Sequence, residues 1–152
     1  MAKIILVYGA PCSGKTTYVK KRISSDDMVY DYDELTKALT YSDKHSILIG
    51  KTHQYVLDIR TLILKQAKQD KELKTVYVIS TYLTDKLKKL LESLNPTYVE
   101  MDTTREECLK LLAKDDTRVE KEEWAKRIND WYDDKEKEQR RIRLIKALET
   151  CG

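Results

Sequence analysis

The stretch Lys3-Ile4-Ile5-Leu6-Val7-Tyr8-Gly9-Ala10-Pro11-Cys12-Ser13-Gly14-Lys15-Thr16 decides the reading of this chain. Its first six residues form a short apolar run of β type. Residues 9–16 match G-x-x-x-x-G-K-[ST] in full, and Thr17-Tyr18-Val19-Lys20-Lys21-Arg22-Ile23 can continue as a helix. Strand, glycine loop and helix in that order are the context in which such a loop wraps phosphate. The glycines let the backbone curl with its N–H groups inward, and the following helix start adds a partial positive charge. The segment Gly9, Ala10, Pro11, Cys12, Ser13, Gly14, Lys15, Thr16 and Thr17 is therefore expected to bind ATP. Lys15 would reach the β- and γ-phosphates, and the Thr16 hydroxyl would ligate Mg²⁺. A random chain of this length and average composition matches the pattern roughly once in two hundred. Here two of only four glycines fall inside it.

Outward from the loop, the chain reads as alternating strands and helices. Strand-like runs recur at 4–8, 28–32, 75–79 and 97–101, each apolar on both faces as buried parallel strands are. Helical stretches are expected over about 15–23, 34–39, 55–69 and 84–94, the last ended by Asn95-Pro96. Thr103 with Glu106 three residues on has capping-box spacing. This alternation predicts an α/β fold of P-loop NTPase type, a small four-stranded parallel sheet flanked by helices with right-handed crossovers. Neither a repeat nor a linker interrupts it, so residues 1–152 are expected to form one nucleotide-binding domain.

From 119 to 149 the chain is almost continuously helical in character. Val119, Trp124, Ile128, Trp131, Ile142, Ile145 and Leu148 recur mostly at three- and four-residue steps among Glu, Lys and Arg. An amphipathic terminal helix packed against the sheet is the expectation. A surface for a protein partner or for self-association through 119–149 is the alternative, and the charged stretch 133–141 is where the helix would bend outward or fray.

Composition narrows the function classes. Charged residues make up 36% of the chain, yet the net charge is only +3, which argues against a strongly basic nucleic-acid binder while leaving room for a local basic face. Cys12, Cys108 and Cys151 are scattered, without a C-x-x-C pair or Cys/His cluster, so neither a disulfide framework nor a zinc site is expected. A reducing, cytoplasmic setting fits this usage. No apolar run approaches membrane-spanning length, and Met1-Ala2-Lys3 leads straight into the first strand, which predicts no signal peptide.

A phosphate loop binds; other residues decide the chemistry. The third strand run ends Val78-Ile79-Ser80-Thr81 without a carboxylate, and no apolar run ends in Asp-Glu, which argues against a mechanical ATPase. The second ends Tyr30-Asp31-Tyr32-Asp33-Glu34. Parallel strands aim their C-terminal ends at one crevice, and Asp31 and Asp33, two apart, share a side of an extended segment. Asp33 is thus a candidate general base for an attacking hydroxyl and equally a candidate N-cap of the helix at 34–39. Asp31 is a candidate Mg²⁺ partner through water. Lys114-Asp115-Asp116-Thr117-Arg118 is a polar break between helices where a lid would sit, so Arg118 is the candidate for stabilising transferring phosphoryl charge, with Arg105 behind it. Arg22, Arg60 and Arg127 read as solvated helix positions. His45 and His53 flank 47–51, a place where P-loop kinases often carry substrate-binding insertions, and Tyr82 could stack on a base or sugar.

The loop together with Asp31-Tyr32-Asp33-Glu34-Leu35 and Val78-Ile79-Ser80-Thr81-Tyr82-Leu83 resembles the kinase domain of phage polynucleotide 5′-hydroxyl kinases. It is also similar to small P-loop kinase-like ATP-binding proteins of bacteriophage genomes. The likeness runs through about the first hundred residues and loosely into Asp102-Thr103-Thr104-Arg105-Glu106-Glu107. It implies that Asp33 is the general base, with Glu34 in place of a second acid. Where that kinase has an arginine for the scissile phosphate, this chain has Thr36, and Ser80 stands where it has an acid. Taken together, the residues and the likeness predict transfer of the γ-phosphoryl of Mg·ATP to a hydroxyl on a nucleic-acid 5′ end, a nucleotide or a small metabolite. Lys15, Asp33 and Arg118 would be catalytic, with Thr16 and Asp31 at the metal. The rival expectation is an ATP-binding switch or assembly factor acting through its C-terminal helix.

Overall fold

The structure is a computed structural model and describes residues 1–44 and 50–151. In chain order the elements are β1 (Lys3–Tyr8), α1 (Lys15–Lys20), β2 (Asp27–Asp31), α2 (Tyr32–Thr40), α3 (His53–Ala67), β3 (Thr75–Ser80), α4 (Asp85–Leu91), β4 (Thr97–Glu100), α5 (Arg105–Lys114) and α6 (Lys121–Cys151). The four strands form one all-parallel sheet in the order β2-β3-β1-β4. The fold is α/β, with helices on both faces of the sheet and a long C-terminal helix.

That order sets which helix covers which face. Crossing from β1 to β2 runs in one direction along the sheet, while β2 to β3 and β3 to β4 run in the other. With right-handed crossovers, helices joining strands in opposite directions lie on opposite faces. The core agrees. Ile4 and Leu6 of β1 with Val76 and Val78 of β3 pack under α3 and α4, through Val56, Leu64, Ala67, Leu87 and Leu91. The alternate residues Val7 and Tyr77, with Ile5 and Ile79 beside them, pack under Val19 of α1. Period-two alternation thus supplies each face with its own apolar layer. The switch in direction opens a crevice above the C-terminal ends of β1 and β3, where ligands bind in sheets of this kind.

Two helix starts are displaced from their expected places. β2 ends at Asp31, and it is Asp31, not Asp33, that caps the next helix: its Oδ1 accepts the N–H groups of Asp33 and Glu34 at 3.1 and 3.4 Å. Asp33 falls within α2. Likewise Thr104 rather than Thr103 caps α5, accepting the Glu107 N–H at 3.2 Å. Thr103 is diverted because its hydroxyl donates to the carbonyl of Ser13 at 2.6 Å, pinning the glycine loop.

The C-terminal helix departs most from expectation. Its buried residues pack off the sheet, although Lys135 pairs with Glu100 at the end of β4 at 2.5 Å. Trp124, Ile128 and Trp131 bury against Cys108 and Leu112 of α5 and against Ala10 of the loop, and Trp131 Nε1 donates to the carbonyl of Thr81 at 2.8 Å. The helix then runs unbroken through 133–141. Every residue from Glu136 to Cys151 is exposed, including Ile142, Ile145 and Leu148. Val119, expected in the apolar stripe, precedes the helix and is exposed. Among the described residues no helix is long and apolar enough to cross a membrane.

Candidate functional site

The Gly9–Thr16 loop leaves the C-terminal end of β1 and closes on itself. Gly14 has φ +87°, a left-handed conformation that glycine adopts without a Cβ clash. Gly9 is held for a different reason: a Cβ there would lie 2.9 Å from both the Met101 Cβ and the Ser13 Oγ. Cys12 also adopts a left-handed conformation, φ +61°. Lys15 Nζ donates to the loop's own carbonyls, Gly9 O at 2.6 Å and Ala10 O at 2.8 Å. Burial, and then the positive charge of Arg118, push the Lys15 ammonium down to about 8, while Asp33 acts in the opposite sense. The charges of Arg118 and Asp33, from different segments of the chain, are thus both felt at Lys15.

The loop, β2 and the lid segment meet in one cavity of about 900 Å³. Residues 11–17 form its floor. Asp31, Tyr32, Asp33 and Glu34 from the β2–α2 junction, with His53 and Arg60 of α3, form one wall. Ser80, Thr81, Tyr82, Thr84 and Lys86 after β3 form a second. Lys114, Asp115, Arg118, Trp124, Arg127 and Asp130 close it from the α5–α6 side.

Asp31 stands at the contact between loop and wall. Its Oδ2 accepts the Thr16 hydroxyl at 3.2 Å while its Oδ1 caps α2. Burial first, and the neighbouring charge of Asp33 second, hold its carboxyl above the usual carboxylate range. A half-buried hydroxyl–carboxylate pair suits a divalent cation accompanying a nucleotide's phosphates. Among the described residues no group of three His, Cys, Asp or Glu side chains is assembled to hold a metal unaided. A cation here would depend on the phosphates for the rest of its ligands.

Arg118 is fixed rather than loose. Its Nη1 pairs with Asp115 Oδ2, and its guanidinium lies over the Trp124 ring, 4.7 Å from the centroid. Burial disfavours ionisation of Asp115, yet hydrogen bonds from the Thr117 hydroxyl and N–H and the Arg118 charge hold its carboxyl at about 2. Lys121 ties the same turn down through the carbonyls of Leu112 and Asp115. The segment Lys114–Arg118 is thus a braced turn at the cavity rim.

The remaining candidates divide. Arg105 faces away from the cavity, bonded to Asn129, Asp133 and Glu136 of α6. Arg22 lies over its own helix's Tyr18 ring, 3.5 Å from the centroid. Arg60 and Arg127, read from sequence as solvated, line the cavity. His53 does too, its Nδ1 sharing a 2.7 Å hydrogen bond with Tyr32 Oη, while His45 lies outside the described residues. Ser80 and Tyr82 are at the rim. Sequence reasoning missed Arg60, Arg127, Trp124 and Asp115 because helical phase alone does not say which stripe of a helix meets a crevice. Comparison with protein-family models and with curated protein sequences returned no match for this chain.

Proposed function

We propose that this protein is a P-loop phosphotransferase that moves the γ-phosphoryl of Mg·ATP to a hydroxyl acceptor. One observation carries the reading: a single cavity joins the Gly9–Thr16 loop, the Asp31/Asp33 carboxylates and Arg118. A parallel sheet with this loop leaving β1, beside the crevice where the crossover direction switches, is the setting in which P-loop enzymes hold phosphates, and it supports the P-loop NTPase fold.

In this mechanism the loop's N–H groups and Lys15 hold the β- and γ-phosphates. Thr16 and Asp31 would hold Mg²⁺, which would supply charge neutralisation on the phosphates. Asp33 accepts the acceptor's hydroxyl proton as the acceptor oxygen bonds to phosphorus and the bridge to the β-phosphate breaks, releasing ADP. Arg118, held by Asp115 and Trp124, stabilises the charge on the transferring group without reorganising.

The test is transfer of labelled γ-phosphate from Mg·ATP to 5′-hydroxyl oligonucleotides, nucleosides, nucleotides, sugars and a water-only control. Acceptor-dependent labelling is expected. Lys15→Ala should abolish ATP binding or weaken it severely, and unchanged affinity would sink the phosphate-loop assignment. A second reading, an ATP-binding assembly factor, is favoured by the exposed distal half of α6 with Ile142, Leu144, Ile145 and Leu148 uncovered. ATP binding with no acceptor-dependent transfer across the panel would select it.

A further inference from the structure

We infer that Arg60 anchors an anionic group on the acceptor, so that the acceptor is a phosphate-bearing molecule rather than a neutral sugar or nucleoside. This rests on the phosphotransfer reading above and narrows its substrate class. Arg60 lies one turn beyond Val56 on α3, and residues four apart share a row on a helix surface. Val56 fixes where that row points: its carbonyl accepts Tyr30 Oη, at the end of β2, at 2.9 Å. The row therefore faces the β2 end that carries Asp31. The adjacent row of α3, Ile59 and Ile63, faces an adjoining, mostly apolar groove of about 330 Å³ that shares Thr16, Tyr30 and Asp31 with the large cavity, whereas Arg60 lines the large cavity itself.

Among the described residues the Arg60 guanidinium has no anionic partner. Its Nε is buried without a hydrogen-bond partner. On the β2–α2 junction, Asp31 is engaged with Thr16 and the α2 cap and Glu34 with Lys37. Every other Lys or Arg lining the cavity belongs to the loop or to the α4–α6 side. Among the described residues, Arg60 is the one arginine that α3 and the β2–α2 junction bring to the cavity wall they share with Asp33. An arginine fork matches phosphate oxygens bidentately. A phosphate held there would present its molecule's hydroxyl to Asp33, while the donor phosphates stay with Lys15 and Arg118.

The experiment measures binding of two matched pairs, ribose against ribose 5-phosphate and adenosine against adenosine 3′-monophosphate. The full chain is first saturated with Mg²⁺ and a non-hydrolysable ATP analogue, so that the loop is occupied. In at least one pair the phosphate-bearing member should bind tenfold tighter or more, and the pair that does so names the acceptor type. Arg60→Met should bring that preference within twofold while leaving affinity for the ATP analogue unchanged. No preference in either pair, or a preference that survives Arg60→Met, overturns the assignment. If Arg60→Met does not fold, Arg60→Lys decides, since it keeps the charge and loses the fork: a preference reduced threefold or more supports the anchor, and an unchanged one overturns it. Transfer assayed in parallel keeps the two readings apart. Absence of transfer to every probe counts against the phosphotransferase, whereas transfer without discrimination between pair members counts against Arg60 alone.

Discussion

Replacing Asp31 by asparagine and, separately, by alanine divides its two roles. As the cap of α2 it accepts two backbone N–H groups, and it also accepts the Thr16 hydroxyl. Asparagine caps about as well as aspartate, whereas alanine costs about 1 kcal/mol, or a fall in Tm of about 2–4 °C at this chain length. The charge works against the fold. Burial and Asp33 hold the Asp31 carboxyl above its ordinary range, so the native state keeps this proton at pH values where the unfolded chain has released it. Stability therefore falls as pH rises from the ordinary carboxylate range through the raised native value. The Asp31→Asn variant should be as stable as the parent at pH 7, or more so, and should lack that segment of the pH dependence. The Tm increase produced by Mg²⁺ together with ATP should shrink in both variants, because the metal loses a charged partner. Thermal denaturation from pH 4 to 8, with and without Mg·ATP, reads all of this. Equal Tm losses for Asp31→Asn and Asp31→Ala would refute the capping account. An undiminished Mg²⁺-dependent rise in Asp31→Asn would refute the metal role.

Three further outcomes are expected. Asp33→Asn should leave ATP affinity nearly intact while slowing single-turnover phosphoryl transfer about 10²–10⁴-fold; an unaffected rate would remove it from the chemistry. Arg118→Met should lower kcat roughly 10²–10³-fold with little change in acceptor KM, and a loss confined to KM would instead make it a binding residue. Gly9→Ala places a Cβ 2.9 Å from the Met101 Cβ and the Ser13 Oγ. Overpacking of this kind costs about 1–3 kcal/mol, so a calorimetric Tm equal to that of the parent would contradict the tight packing of the loop against Met101.

What the sequence determined by itself is local and periodic. The glycine loop between an apolar run and a helix, the four β-type runs and the alternation with helices all follow from short-range pattern, although burial on both faces holds for β1 and β3 and not for the largely exposed edge strands β2 and β4. They led to the parallel sheet without any knowledge of strand order. That Asp31, Lys15 and Thr16 share a cavity is legible because they end a strand or complete a spaced pattern and strand ends in a parallel sheet converge, and Asp33, in the first turn of α2, is carried there with Asp31. The helix caps at Asp31 and Thr104 were each displaced by tertiary hydrogen bonds or by where a strand stops, which no capping preference encodes.

Only the tertiary structure decided the rest. Trp124, Ile128 and Trp131 have the spacing of any amphipathic face, and the partner they bury against is α5 and the loop rather than the sheet. Further along the same helix, past the charged stretch 133–141, Ile142 and Ile145 are spaced three apart and remain exposed. In sequence Arg105 is a candidate for the phosphoryl group, whereas Arg60 and Arg127 read as solvated helix positions. The rotational setting of each helix puts Arg60 and Arg127 into the cavity and turns Arg105 toward the carboxylates of α6. Periodicity specifies that a helix has a buried stripe. Which neighbour covers that stripe, and which charged side chain is thereby aimed at the crevice, depends on contacts between residues remote in sequence, and those exist only once the chain is folded.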